Sequence, residues 1–333
     1  MEKRIKERFS ETILHETIRR YGINKNQLRL LNGFESFIYE FERGSEEYIL
    51  RIGHSFRRSE SLIKGEVDWI NYLSHGGASV ARAILSIDGK LVESIDDGKG
   101  EHFLATAFVK VQGAPTRETG WSPELYETYG GLLGKMHALS KQYKPADPGW
   151  KRPHWNDPMI LEAEKYLPVL ETLAAERYRD LIAHIMNLPI NEESYGLIHQ
   201  DAHYGNFLVE KTGNITLFDF DDCAYSWFIN DIAIVLFYMV MDVKDKPGFT
   251  LDFMRHFLRG YRRENRIEAV WLKEIQQFLK LREIDLYAII HRSFDVNNLD
   301  DPWCIRYMQG RKEKIENNVP YIDFDFEMLT DDL

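Results

Sequence analysis

Two histidines, an aspartate and an asparagine fall within eight positions, His199 to Asn206, in GLIHQDAHYGNFLVE (residues 196–210). Apolar residues flank them on both sides. A second acidic cluster, Asp219, Asp221 and Asp222, lies beyond NFLVE, the turn-forming Lys211-Thr212-Gly213-Asn214 and ITLF. Strand, turn and strand in that order predict a hairpin that delivers both clusters to its open end. Two chemistries compete. His199, Asp201 and His203 alternate, so on a strand they would share a face, as the ligands of some zinc hydrolases do. Alternatively, the oxygens of Asp201, Asn206 and Asp219 converge, a donor set that suits Mg²⁺ together with substrate phosphates. Cys223 stands close to the second cluster, where a free buried thiol is the ordinary reading.

The elements that must position these residues follow from periodicity. Residues 9–21 are spaced as a helix. Residues 27–51 alternate and predict three short strands, broken at Asn32-Gly33 and at Arg43-Gly44-Ser45. A helix over SESLIKGEVDWINYLSHGG and three more strand-like runs, SVARAILSI, KLVES and HFLATAFVKV, complete the first part. Beyond Gly113-Ala114-Pro115 the pattern becomes helical. It predicts helices over SPELYETYGGLLGKMHALSKQY, within 158–187, and over 227–242, 249–263, 268–281, 282–293 and 302–317. Residues 318–333 read as a mobile tail. The fold class expected is α+β, with a β-rich lobe over 1–110, to which helix 9–21 is an extension, and a mostly helical lobe over 111–333.

The run H-x-D-x-x-x-x-N, followed by a hairpin and Asp219 in FDFD, resembles the protein-kinase-like phosphotransferases. More specifically it resembles the aminoglycoside phosphotransferase and choline kinase-like group, in which a second histidine follows the catalytic aspartate by two residues, as His203 does. Gln200 stands where that group usually has glycine. The resemblance spans roughly residues 25–300 and implies a bilobal protein-kinase-like fold. It implies that Asp201 is the catalytic base and that Asn206 and Asp219 hold Mg²⁺, with His199 and Asp231 supporting the loop. Arg51 in YILRI would contact the phosphates of ATP or GTP, and Glu66 on the following helix would pair with it. The phosphate loop, LNGFESFIYEF, has a single glycine, Gly33, and offers Ser36. Backbone groups around Val109 and Val111 would hold the nucleobase. The implied activity is γ-phosphate transfer to a hydroxyl of a small molecule. A protein Ser/Thr kinase-like enzyme, a catalytically silent nucleotide-binding module and a zinc hydrolase remain as alternatives.

Bulk properties narrow the partners. Of 333 residues, 44% are hydrophobic, enough for two cores. The net charge is −11, all of it beyond residue 112, since residues 1–112 balance 17 basic against 17 acidic side chains. That argues against nucleic acid and suits a cationic acceptor. Its walls are expected from His203, Tyr204, Asp222, Glu283 and Trp303. The N-terminus lacks a secretory apolar run, no stretch is long enough to span a membrane, and two cysteines make no disulfide framework. The expectation is a cytoplasmic monomer or homodimer.

Overall fold

The computed structural model describes all residues except 32, 34 and 243–247. Asn32, half of the expected Asn-Gly break, lies outside the described residues. The chain forms two compact units. The first comprises residues 1–120, 142–152 and 206–221, the second 121–141, 153–205 and 222–333.

The first unit is built on an antiparallel sheet. Its strands are β1 (Leu28–Leu31), β2 (Phe37–Arg43), β3 (Glu46–His54), β4 (Ala83–Ile84), β5 (Glu93–Asp96) and β6 (His102–Val109). They run in the order β1-β2-β3-β6-β4, with β5 also paired to β6. Helix α1 (Glu11–Arg20) begins where the Ser10 hydroxyl accepts from the Ile13 N–H. It lays Ile13, Leu14 and Ile18 on one sheet face, against Phe41, Leu50, Ile52 and Phe103. Helix α2 (Glu60–His75), capped by Ser59, covers the other face with Ile63 and Val67, against Leu104 and Val92. The period of two in β3 therefore divides its side chains. Tyr48, Leu50 and Ile52 go to the α1 face, and Arg51 goes to the α2 face. Of SVARAILSI only Ala83–Ile84 pairs as strand, with a bridge from Val80 to Leu217. Leu85 and Ile87 are exposed, so nothing rewards a longer strand. The hairpin β8 (Phe207–Val209) and β9 (Ile215–Leu217) belongs to this unit and pairs Phe207 with Leu217.

The second unit is largely helical. Helix α3 (Pro123–Ser140) starts with Ser122 as cap and proline at its first position. It packs on α6 (Phe249–Tyr261). Helices α4 (Thr172–Met186), α5 (Phe228–Asp242) and α7 (Ile275–Ser293) complete the core. Two short strands, β7 (Tyr195–Ile198) and β10 (Ala224–Trp227), pair antiparallel and were not expected. The two helices expected over 268–281 and 282–293 are instead a 3-10 segment, Ala269–Glu274, running into the single helix α7. No glycine or proline interrupts residues 275–293, so nothing ends the helix at 281. Residues 302–317 form two short helices, Pro302–Met308 and Arg311–Glu316. The expected mobile tail is packed: Phe326 and Leu329 are buried, and Tyr321 stacks on Phe237 at 4.3 Å. Its aromatic residues outweigh its charges. Among the described residues no helix is long and apolar enough to cross a membrane. Cys223 and Cys304 are buried free thiols.

Candidate active site

Within the first unit, Arg51 and Glu66 form a two-pronged ion pair. Arg51 Nη1 and Nη2 donate to Glu66 Oε1 and Oε2 at 2.8 and 2.7 Å. Glu66 is fully buried, which a carboxylate tolerates only when paired. Burial works against the Arg51 charge, but Glu66 overcomes it, with Asp221 and Asp219 adding, and the guanidinium stays protonated. Its face also lies 5.2 Å from the Phe108 ring centroid.

Ser36 is half-buried in the bend just before β2. A side chain at position 33 would run into the Ser36 carbonyl oxygen, so glycine is required there. At the far end of β6, Val109 gives its N–H to the Arg82 carbonyl and Lys110 gives its N–H to the Glu47 carbonyl. Val111 follows, half-buried and outside any strand.

The β8–β9 hairpin brings Asn206 and Asp219 to neighbouring positions. The pairing continues past Phe207–Leu217 with Phe218 N–H donating to the Asn206 carbonyl at 2.8 Å. Asn206 is buried and Asp219 exposed, the latter with φ at +66°. An aspartate so placed stores backbone strain of the kind that concentrates at functional sites. The amide oxygen and the carboxylate are hard donors. They fit a divalent cation that takes its other oxygens from phosphates and water.

Asp221, a member of the second acidic cluster to which no role was assigned from sequence, is gripped by arginines of the same unit. Arg57 donates to its carboxylate, Arg58 lies 3.5 Å away and Arg51 3.9 Å. Arg152 Nη2 donates to its carbonyl. Burial would raise its carboxyl pKa, but the guanidinium charges hold it well below the usual range.

The second unit holds the loop from His199 to Gly205. Asp231, in the first turn of α5, accepts the N–H groups of His199 and Gln200 at 2.9 and 2.8 Å. Burial lowers the His137 pKa against the pull of Asp231, and the ring lies 3.2 Å from Asp231 and 2.8 Å from the Tyr261 hydroxyl. Asn265 donates to that hydroxyl, which completes a buried polar chain. Gln200 has φ at +70°, a conformation glycine adopts without strain. Its N–H bond to Asp231, and its side-chain oxygen accepting from Asn230, secure it there. Tyr129 on α3 fixes the loop from below by donating to the Ala202 carbonyl.

His199 is buried, and its Nδ1 accepts the Asp201 N–H at 3.2 Å. His203 Nδ1 accepts the Gly205 N–H, which leaves Nε2 to face Asp201 Oδ2 at 3.3 Å. The zinc reading of His199, Asp201 and His203 fails on this geometry. His199 turns its Nδ1 into the loop, and no group of three such side chains among the described residues could hold a metal ion.

The other oxygen of Asp201 accepts from Arg282 Nη2 of α7 at 2.5 Å, and the same nitrogen reaches the Tyr238 hydroxyl at 2.6 Å. Neither residue was expected, because no local spacing relates them to the loop. Burial alone would raise the Asp201 pKa, but Arg282 and then His203 bring it down to about 2.

The expected acceptor walls are dispersed within this unit. Tyr204 meets Trp121 edge to face at 6.0 Å, and the charge of Asp222 acts on Tyr238. Glu283 is buried between Lys280 and Arg311, at 2.7 and 2.6 Å. Trp303 stacks on Tyr307 at 5.7 Å.

An antiparallel sheet unit with an Arg–Glu pair, and a helical unit with a braced His-x-Asp loop, define a protein-kinase-like phosphotransferase. The chain belongs to the phosphotransferase enzyme family, which it matches over residues 27–266. It is 39% identical to amicoumacin kinase of Bacillus subtilis (strain 168) over 323 residues, 96% of each chain. It is similar, at 38% identity and a TM-score of 0.93, to a solved amicoumacin kinase in complex with AMP-PNP, Ca²⁺ and Ami, covering 99% of this chain and 100% of that one. Hydroxylysine kinase of Bos taurus is 24% identical over 228 residues, 60% of this chain and 59% of its own. The chain is a small-molecule kinase with a hydroxyl acceptor.

Proposed function

We propose that the protein transfers the γ-phosphate of ATP, with Mg²⁺, to a hydroxyl of an amine-bearing small molecule of the amicoumacin type, in the cytoplasm. The observation that carries this reading is the 39% identity to amicoumacin kinase over 96% of both chains. Hydroxylysine, the acceptor named for a more distant relative, also joins an amine to a hydroxyl. The net charge of −11, all beyond residue 112, favours a cationic acceptor.

In this reading the lobe over 1–110 binds the nucleotide and residues 111–333 supply catalysis and acceptor binding. Arg51, oriented by Glu66, meets the phosphates, Ser36 supplements it, and backbone groups at Val109 and Val111 take the adenine. Asn206 and Asp219 would hold the metal, which supplies charge neutralisation on the phosphates when bound. Asp201 orients the acceptor hydroxyl and takes its proton as the oxygen bonds to phosphorus and the bond to the leaving ADP breaks. His199 and Asp231 keep the loop rigid. Of the expected walls, His203, Tyr204, Asp222 and Trp303 contribute to acceptor binding, whereas Glu283 is buried between Lys280 and Arg311.

The test is ADP release with Mg-ATP over amicoumacin, hydroxylysine, simple amino alcohols and neutral sugars, with GTP as a second donor. Amines should be turned over, and Asp201→Asn should lose at least about 10³-fold in kcat while keeping its fold. Turnover of a neutral sugar with every amine inert would overturn the acceptor assignment.

A further inference from the structure

Both oxygens of the Asp201 carboxylate are held by side chains of the second unit. His203 Nε2 faces Oδ2, and Arg282 Nη2 faces Oδ1. Arg282 reaches this point from the second turn of α7, 81 residues along the chain. It is aimed there by Tyr238 of α5, whose hydroxyl takes the same nitrogen and whose ring centroid lies 5.2 Å from the guanidinium carbon. The His203 ring packs on the same tyrosine at 4.4 Å. The three side chains thus form one cradle around a single carboxylate.

Arg282 is a costly residue to keep for packing alone. Its Nε is buried and has no hydrogen-bond partner among the described residues. An orphaned buried donor destabilises a fold, so a guanidinium kept this way is kept for its other end.

We propose that Arg282 is a positioning residue for phosphoryl transfer, acting through Asp201 by fixing the rotamer of its carboxylate toward the acceptor hydroxyl. The inference rests on the kinase reading of Asp201 given above. A carboxylate accepts more than one hydrogen bond per oxygen, so Arg282 and His203 leave lone pairs for the hydroxyl. Phosphoryl transfer asks its base mainly for orientation, because the proton leaves late, as the acceptor oxygen bonds to phosphorus. The proton then passes to Asp201 and on to solvent. The guanidinium also keeps Asp201 ionised, against burial that would neutralise it. Other charged or titratable groups acting on this cradle are His199, Asp222 and Asp285.

The experiment compares Arg282→Met, Arg282→Lys and Tyr238→Phe with the wild type. Readouts are kcat, acceptor KM, nucleotide affinity, melting temperature and the kcat–pH profile from pH 4.5 to 9. Arg282→Met should lower kcat about 10²-fold with nucleotide affinity unchanged. Its acid limb should also lie at higher pH than that of the wild type, since burial then acts on Asp201 without the guanidinium. Arg282→Lys should recover the pH profile but only part of kcat, since a single ammonium holds charge without the planar fork. Tyr238→Phe, which removes only a hydroxyl, should lower kcat about 10-fold and carries the test if Arg282→Met does not fold. Folded variants with wild-type kcat and pH profile would overturn the inference while leaving the kinase reading intact. A wild type that phosphorylates none of the acceptors overturns both.

Discussion

Asp285 lies one helical turn beyond Arg282 on α7, and burial pushes its carboxyl pKa up to about 7 even though Arg282 pulls it down. An aspartate in the unfolded chain titrates near 3.9, so the folded protein binds this proton more tightly. Stability therefore falls as pH rises from about 4 to about 7, and the full cost is present above that. The stability advantage of Asp285→Asn over the wild type in chemical denaturation should be about 3 kcal/mol greater at pH 8 than at pH 4.5. A gain independent of pH would show that the side chain is not protonated in the fold. At this scale Arg51 and Glu66 were readable because YILRI and the helix after it resemble the family's strand and helix that carry this cation and its acidic partner, and the helical phase favours Glu66. Arg282, Tyr238 and the arginines around Asp221 were not readable, because each meets its carboxylate through a separate element.

Among the elements, α3 supports the loop through Tyr129 on the Ala202 carbonyl, and reaches Asp231 through His137. It can approach α6 closely because Gly130 faces the Phe257 backbone. A Cβ there would collide with the Phe257 carbonyl oxygen, which belongs to a helix and cannot swing aside. Gly130→Ala should cost about 2–4 kcal/mol in thermal unfolding, despite the better helix propensity of alanine. A stabilised variant would show that the helices can separate without cost. The helical pattern of SPELYETYGGLLGKMHALSKQY was enough to locate α3, but the choice of α6 as partner was not written in it. The short strands β7 and β10 escaped notice for a related reason: four residues carry too little periodicity, and their pairing is what makes them strands.

Across the whole molecule, two units share one chain that crosses between them several times. Sequence order alone does not show that residues 206–221 pack with the sheet unit. The C-terminal residues also take their structure from distant partners, Tyr321 from Phe237 and Phe326 and Leu329 from the core of the second unit. Deleting residues 321–333 should destabilise the protein by more than about 3 kcal/mol, given three large apolar side chains lost from contact. An unchanged melting curve would show the tail to be dispensable.

The sequence by itself determined the protein-kinase-like fold class, the phosphotransferase activity and the hydroxyl acceptor. It did so because the run from His199 to Asn206, with Asp219 beyond a hairpin, resembles the catalytic segment of that family, and the lobe order around it is legible from local periodicity. The tertiary structure alone decided what surrounds Asp201, how the Asp231 network reaches Tyr261 and Asn265, and where the tail lies. Those contacts join residues tens of positions apart, and their energy comes from desolvation and pairing that exist only once the elements have packed.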